Sequence, residues 1–146
     1  MGVRGLTTFL DTSAPHLGEE IKLQETWLVI DGNNLRYYLY EKGGQFDCQC
    51  GGEYKEFYKE VVSFFEALKG KGVKSFVVID GAFDRTNKKL KTKMKRARDG
   101  IKRSKKIWDG KKCFLLPLMT ESVFIQALRD LRDLRDHDIN FAVSDW

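Results

Sequence analysis

Two short apolar runs along the chain each stop on an aspartate, and they set its organisation. Trp27 to Ile30 in TWLVIDGNN is unbroken apolar sequence ending on Asp31 and Gly32, and Phe76 to Ile79 in KSFVVIDG ends the same way on Asp80 and Gly81. Runs of this length closed by turn chemistry suit central parallel strands, which read as continuous rather than alternating. Between them Tyr54, Phe57, Tyr58, Val61, Val62, Phe65 and Leu68 recur at helical spacing, and Gly70 and Gly72 close the pattern. LRYYLYEK, from Leu35, opens a shorter helix, and GGQFDCQCGG reads as a loop. Strand, helix and strand in that order predict a βαβ crossover. Both aspartates then emerge on the C-terminal edge of the sheet, where open α/β folds place their sites.

After Pro117, the residues Phe124, Ala127, Leu128, Leu131 and Leu134 form one helical stripe. Arg129, Arg132 and Arg135 alternate with Asp130, Asp133 and Asp136 on its exposed sides, an ordinary solvent-face pattern. INFAVSD predicts a third strand, with Asp145 just past its end.

Charge changes the picture. The net charge is +5, but residues 85–112 hold fourteen Lys or Arg against Asp99 and Asp109 alone, a local +12 that leaves −7 for the remainder. Such asymmetry suggests a polyanion partner, while a solvated helix face or a disordered basic loop is the plainer reading. At helical spacing Lys88, Lys91, Lys95, Arg98, Lys102 and Lys105 share one stripe, and Leu90, Met94, Ala97 and Ile101 form the opposing one. The segment therefore has a face to dock and a face to present. Gly100 interrupts it and is expected to mark a bend. A phosphate backbone would offset the stacked like charge, and it ranks above a membrane surface because the apolar stripe carries no aromatic residue before Trp108.

Composition adds limits. The 146 residues make one domain at most, or part of a larger one, and no apolar run is long enough for a membrane span. Cys48, Cys50 and Cys113 have no zinc-site spacing with His16 or His137, so the thiols read as free and the compartment as reducing. Gly2 is no clear myristoylation acceptor, since Leu6 stands where that signal wants Ser or Thr, and no secretory leader fits. Gly2 and Gly5 instead suggest close backbone approach.

Asp31 and Asp80 are the candidate catalytic and metal-binding residues. A pair of carboxylates at matched strand ends suits Mg²⁺, which takes one or two protein carboxylates and keeps waters and phosphate oxygens. Two such ions can activate a water and stabilise the leaving oxygen of a phosphodiester, although that chemistry needs more acid than two aspartates supply. The structural alternative is that each aspartate only ends a strand or caps the next helix.

These features in this order resemble the flap-endonuclease/XPG superfamily of PIN-like nucleases. MGVRGL is similar to its N-terminal M-G-[IV]-x-G-L motif, followed by the strand ending in Asp31, the D-G at Asp80 and the basic helix. VIDGNNL, FFEAL, VVIDGAFD, KKL…RAR and PLMTESVFIQAL are similar to the asteroid family within that superfamily. The resemblance implies an α/β fold, a parallel sheet flanked by helices of the XPG N-terminal PIN type over residues 1–146. It implies Mg²⁺ or Mn²⁺ on Asp31 and Asp80, and hydrolysis of DNA ends or branched DNA. Gly2 and Arg4 at the N-terminus, with Lys88, Lys89, Lys91, Lys93, Lys95, Arg96, Arg98 and Lys102, are the implied nucleic-acid contacts.

The family continues into a second acidic cluster that INFAVSDW stops short of, and Arg135 to Asp138 is a poor replacement. The expected domain is thus C-terminally incomplete and weak or inactive alone. The alternative is a non-catalytic module that binds nucleic acid or protein through the nuclease fold. A nuclear or cytoplasmic location, without membrane association, is expected.

Overall fold

Both aspartate-ended runs are strands of one parallel sheet. The computed structural model describes residues 5–14, 16, 21–43, 46–47, 52–80, 90–134 and 139–144. Its elements run α1 (Leu6–Ser13), β1 (Trp27–Asp31), α2 (Gly32–Tyr38), α3 (Tyr54–Lys69), β2 (Lys74–Asp80), α4 (Leu90–Trp108), α5 (Thr120–Leu134) and β3 (Ile139–Ser144). The strand order is β1-β2-β3, every pairing parallel. None of the described helices is long and apolar enough to cross a membrane.

The strands form where β-branched and aromatic residues are continuous, and β1 gives way directly to α2 at Asp31. Asp31 caps α2, its Oδ1 accepting the Asn34 backbone N–H at 3.0 Å. The helix expected from Leu35 therefore starts three residues earlier, and it continues into a π-helical turn over Leu39–Gly43. Gly32 is required by proximity: a Cβ there would stand 2.8 Å from Ile79 Cγ1 and 2.9 Å from Val77 Cγ1. Gly72, at φ +68, lets the chain turn from α3 into β2, with its N–H donating to the Lys69 carbonyl.

The core lies on one face of the sheet. Phe57, Val61 and Phe65 of α3 and Phe124, Ala127, Leu128 and Leu131 of α5 bury against Val77, Ile79 and Ile139. This is the stripe expected from the spacing, in α3 and in α5 as far as Leu131; the side chain of Leu134 lies outside the described residues. Tyr58 donates to Asp130 at 2.9 Å and ties the two helices together, while Tyr40 packs edge-on against Phe57.

Among the described residues, the opposite face is left exposed. Trp27 is 61% exposed and Val29 72%, with Val78 of β2 also exposed. Handedness explains this: both crossovers carry the chain in the same direction across the sheet, so right-handed connections put their helices on one side.

The basic helix is continuous through Gly100. One expectation about it needs correction. Its apolar stripe does not dock: Leu90 is 47% exposed, Met94 48% and Ile101 60%. The part of the expected helix over residues 85–89 lies outside the described residues.

Candidate active site

Asp31 sits beside Val78 in the sheet register, two residues before Asp80. Side chains two apart on a strand share a face, so both aspartates leave the same side of the sheet, offset by roughly 6.6 Å along the strand direction. Both line a cavity of about 950 Å³ at the C-terminal edge.

The other walls come from three helices and from Leu115 and Leu116 in the loop before α5. Asn33, Asn34 and Arg36 of α2 contribute, because α2 begins directly at Asp31. Glu121 contributes from the first turn of α5. That helix runs back toward the start of β3, so its N-terminus returns to the edge that carries the aspartates. Thr120 fixes the turn before it, its hydroxyl donating to the Pro117 carbonyl at 2.8 Å.

The fourth wall is α4, through Arg96, Asp99, Gly100 and Arg103. At about 100° per residue these residues form one stripe. Lys91, Lys95, Arg98 and Lys102 form a second stripe about a third of a turn away, and Leu90, Met94, Ala97 and Ile101 a third. The helix thus meets the cavity with arginines, presents lysines to solvent, and leaves its apolar residues uncovered.

Of the residues picked out in the sequence, the structure brings Asp31, Asp80 and Arg96 together. Lys91, Lys95, Arg98 and Lys102 are exposed on the outer side of α4 and are not among the residues lining the cavity. Gly2, Arg4, Lys88 and Lys89 lie outside the described residues, as does the side chain of Lys93. Gly5 precedes α1 at φ +80, in the left-handed region that favours glycine, and a Cβ there would meet nothing within 4 Å.

Sequence reasoning missed Arg36, Arg103 and Glu121. Arg103 was detectable as the residue two turns after Arg96. Arg36 and Glu121 form an ion pair between α2 and α5 across the cavity wall, a relationship that only the packing of the two helices creates.

The chemistry of this cavity is divided. Asp31 and Asp80 offer the hard oxygen donors that a divalent cation such as Mg²⁺ takes. Among the described residues no group of three His, Cys, Asp or Glu stands close enough to hold a metal unaided. Arg96 and Arg103 line the same cavity, and their forked donors match phosphate oxygens.

No family model matches the chain, and no solved structure matches it. Relatives do. Over 130 residues, 89% of the chain, it is 38% identical to Protein asteroid of Drosophila melanogaster, and the match covers 15% of that protein. Over 132 residues it is 39% identical to the single-strand DNA endonuclease ASTE1 of Danio rerio and 36% identical to that of Homo sapiens, in each case 90% of the chain and 19% of the relative. The chain spans less than a fifth of the length of these relatives. By sequence it is a homologue, over about nine-tenths of its own length, of part of the asteroid and ASTE1 proteins.

Proposed function

We propose that this chain supplies the aspartate pair and the phosphate-binding helix of a divalent-metal-dependent DNA endonuclease, and that its substrate is single-stranded DNA or the single-stranded part of an overhang or flap. The observation that carries this reading is the meeting of Asp31 and Asp80 with Arg96 and Arg103 in one cavity. Acids alone would suit a cation and arginines alone an anion; together they suit a cation that bridges to a phosphodiester. The relatives named single-strand DNA endonuclease support DNA as the substrate class.

In this reading Asp31 and Asp80 hold Mg²⁺ or Mn²⁺, which when bound supplies Lewis acidity and neutralises charge on the phosphate. Asp31 is fixed for that role by its own capping bond to Asn34. Arg96 and Arg103 orient the phosphate over the strand ends, and the outer lysine stripe of α4 follows the strand beyond the cavity. The three-stranded sheet is the N-terminal part of a PIN-like domain of the XPG type. The chain is weak or inactive alone, since two carboxylates fall short of a two-metal set.

Labelled single-stranded, overhang and flap DNAs test this, incubated with Mg²⁺ and either the chain alone or the chain joined to the remaining length of a matched relative. Cleavage by the joined form that disappears in both Asp31→Ala and Asp80→Ala supports the proposal. Cleavage that survives both substitutions sinks it. A second reading, a binding module without chemistry, draws on the exposed lysine stripe. It gains if neither form cleaves while salt-sensitive DNA binding persists.

A further inference from the structure

The Arg36–Glu121 pair is unequal. The Arg36 side chain is only 15% exposed whereas that of Glu121 is 52% exposed. Nη1 of Arg36 donates to Glu121, while its Nε is buried with no acceptor among the described residues. A guanidinium carries five N–H donors and does not deprotonate. A buried N–H left unmatched is a standing cost, and here it belongs to a cation lining the same cavity as Asp31, Asp80, Arg96 and Arg103.

We propose that Glu121 is a placeholder and that Arg36 is a phosphate-binding residue. A phosphate group entering the cavity replaces the Glu121 carboxylate as the acceptor for Arg36. The exposed partner can turn into water at little cost; the buried partner has nowhere to go. One phosphate can accept two N–H groups of a guanidinium at once, through Nη1 and Nη2, where Glu121 takes the Nη1 donor alone. With phosphate present, Glu121 also becomes a like charge beside it. The subsite thus comprises Arg36 from α2 with Arg96 and Arg103 from α4. This inference deepens the nuclease reading by naming how its ligand is held, and it rests on that reading for the identity of the ligand as a DNA phosphate.

The test is metal-free, so that binding is measured apart from cleavage. Fluorescence anisotropy in chelator at fixed ionic strength reports the affinity of the 146-residue chain for a labelled single strand, with and without a 5′-phosphate, and inorganic phosphate serves as competitor. The two members of the pair are expected to act in opposite directions. Arg36→Gln weakens binding by about tenfold, and Glu121→Gln tightens it by about threefold. Asp133→Asn, which removes the same charge from the Arg132 pair on the outside of α5, changes it by less than about twofold. Loss of the 5′-phosphate preference in Arg36→Gln assigns the subsite to a terminal phosphate, and equal weakening on both strands assigns it to an internal one; either supports the proposal.

A pair that is merely structural predicts that both variants weaken binding together and lower the melting temperature together. That result, or a Glu121→Gln effect no larger than that of Asp133→Asn, overturns the proposal. Arg36→Lys keeps the charge without the fork and is expected to recover part of the affinity. Affinity equal to wild type in Arg36→Gln also overturns it.

Discussion

Asp31 and Asp80 lie on adjacent parallel strands, on the same side of the sheet, with Asp31 in register with Val78 rather than with Asp80. That stagger sets one carboxylate at the start of α2 and carries the other farther along the edge. Asp31 is therefore a helix cap and a cavity residue at once.

The two roles of Asp31 separate by substitution. Asparagine caps a helix about as well as aspartate, but it gives up the charge. Asp31→Asn is expected to keep the melting temperature and lose cleavage and metal binding. Asp31→Ala should lose both, with about 1 kcal/mol of stability gone. Thermal denaturation of the chain, alongside a cleavage assay of the form joined to the remaining length of a relative, checks this, and full activity of that form with Asp31→Asn would reduce Asp31 to a cap.

Gly32 is the tightest point between α2 and the sheet. A methyl group there meets Ile79 Cγ1 at 2.8 Å, Val77 Cγ1 at 2.9 Å and the Val78 carbonyl at 3.1 Å. Two of these are buried side chains of the core, with little room to yield. Gly32→Ala is expected to destabilise the chain by about 1–3 kcal/mol, measured by urea unfolding, and to displace Asp31 with the helix it caps.

The two faces of the sheet should respond differently to truncation. Leu128→Ala, beneath the covered face, is expected to cost about 2–5 kcal/mol. Val29→Thr, on the exposed face, should stay within about 0.5 kcal/mol of wild type. Chemical denaturation of both variants checks the asymmetry, and comparable losses would mean that the exposed face is packed in solution.

The lysine stripe should govern salt dependence. Replacing Lys91, Lys95, Arg98 and Lys102 with alanine is expected to lower affinity for single-stranded DNA. It should also flatten the logarithmic salt dependence by about 2 to 3, at roughly 0.7 for each phosphate that is no longer neutralised. Melting temperature should hardly move, since these side chains are exposed. An unchanged slope, measured by anisotropy across a salt series, would remove this stripe from the binding surface.

Much of this was legible along the chain because the signals were local. An apolar run stopped by Asp and Gly identifies a strand end, and the Phe57–Val61–Phe65 spacing identifies a buried helix face without further context. The parallel sheet follows from their order. The side on which α4 docks was not legible. Its sequence offers an obvious basic stripe and an obvious apolar stripe, yet the helix meets the cavity by a third, through Arg96, Asp99, Gly100 and Arg103. That choice depends on which side of the helix lies toward the cavity, whose other lining residues, Asp31 and Asp80 among them, are distant in sequence. Glu121 and Gly32 were hidden for the same reason: each matters through a residue distant in sequence, Arg36 for one and Ile79 for the other.

In the proposed nuclease, Asp31 and Asp80 together hold one divalent cation beside a bound strand. Mn²⁺ binding followed by electron paramagnetic resonance, with a single-stranded oligonucleotide present, tests this most directly. A bound Mn²⁺ signal is expected that is lost in Asp31→Asn and lost again, separately, in Asp80→Asn, but kept in Asp133→Asn. Mn²⁺ binding that is unchanged by both cavity substitutions would contradict it.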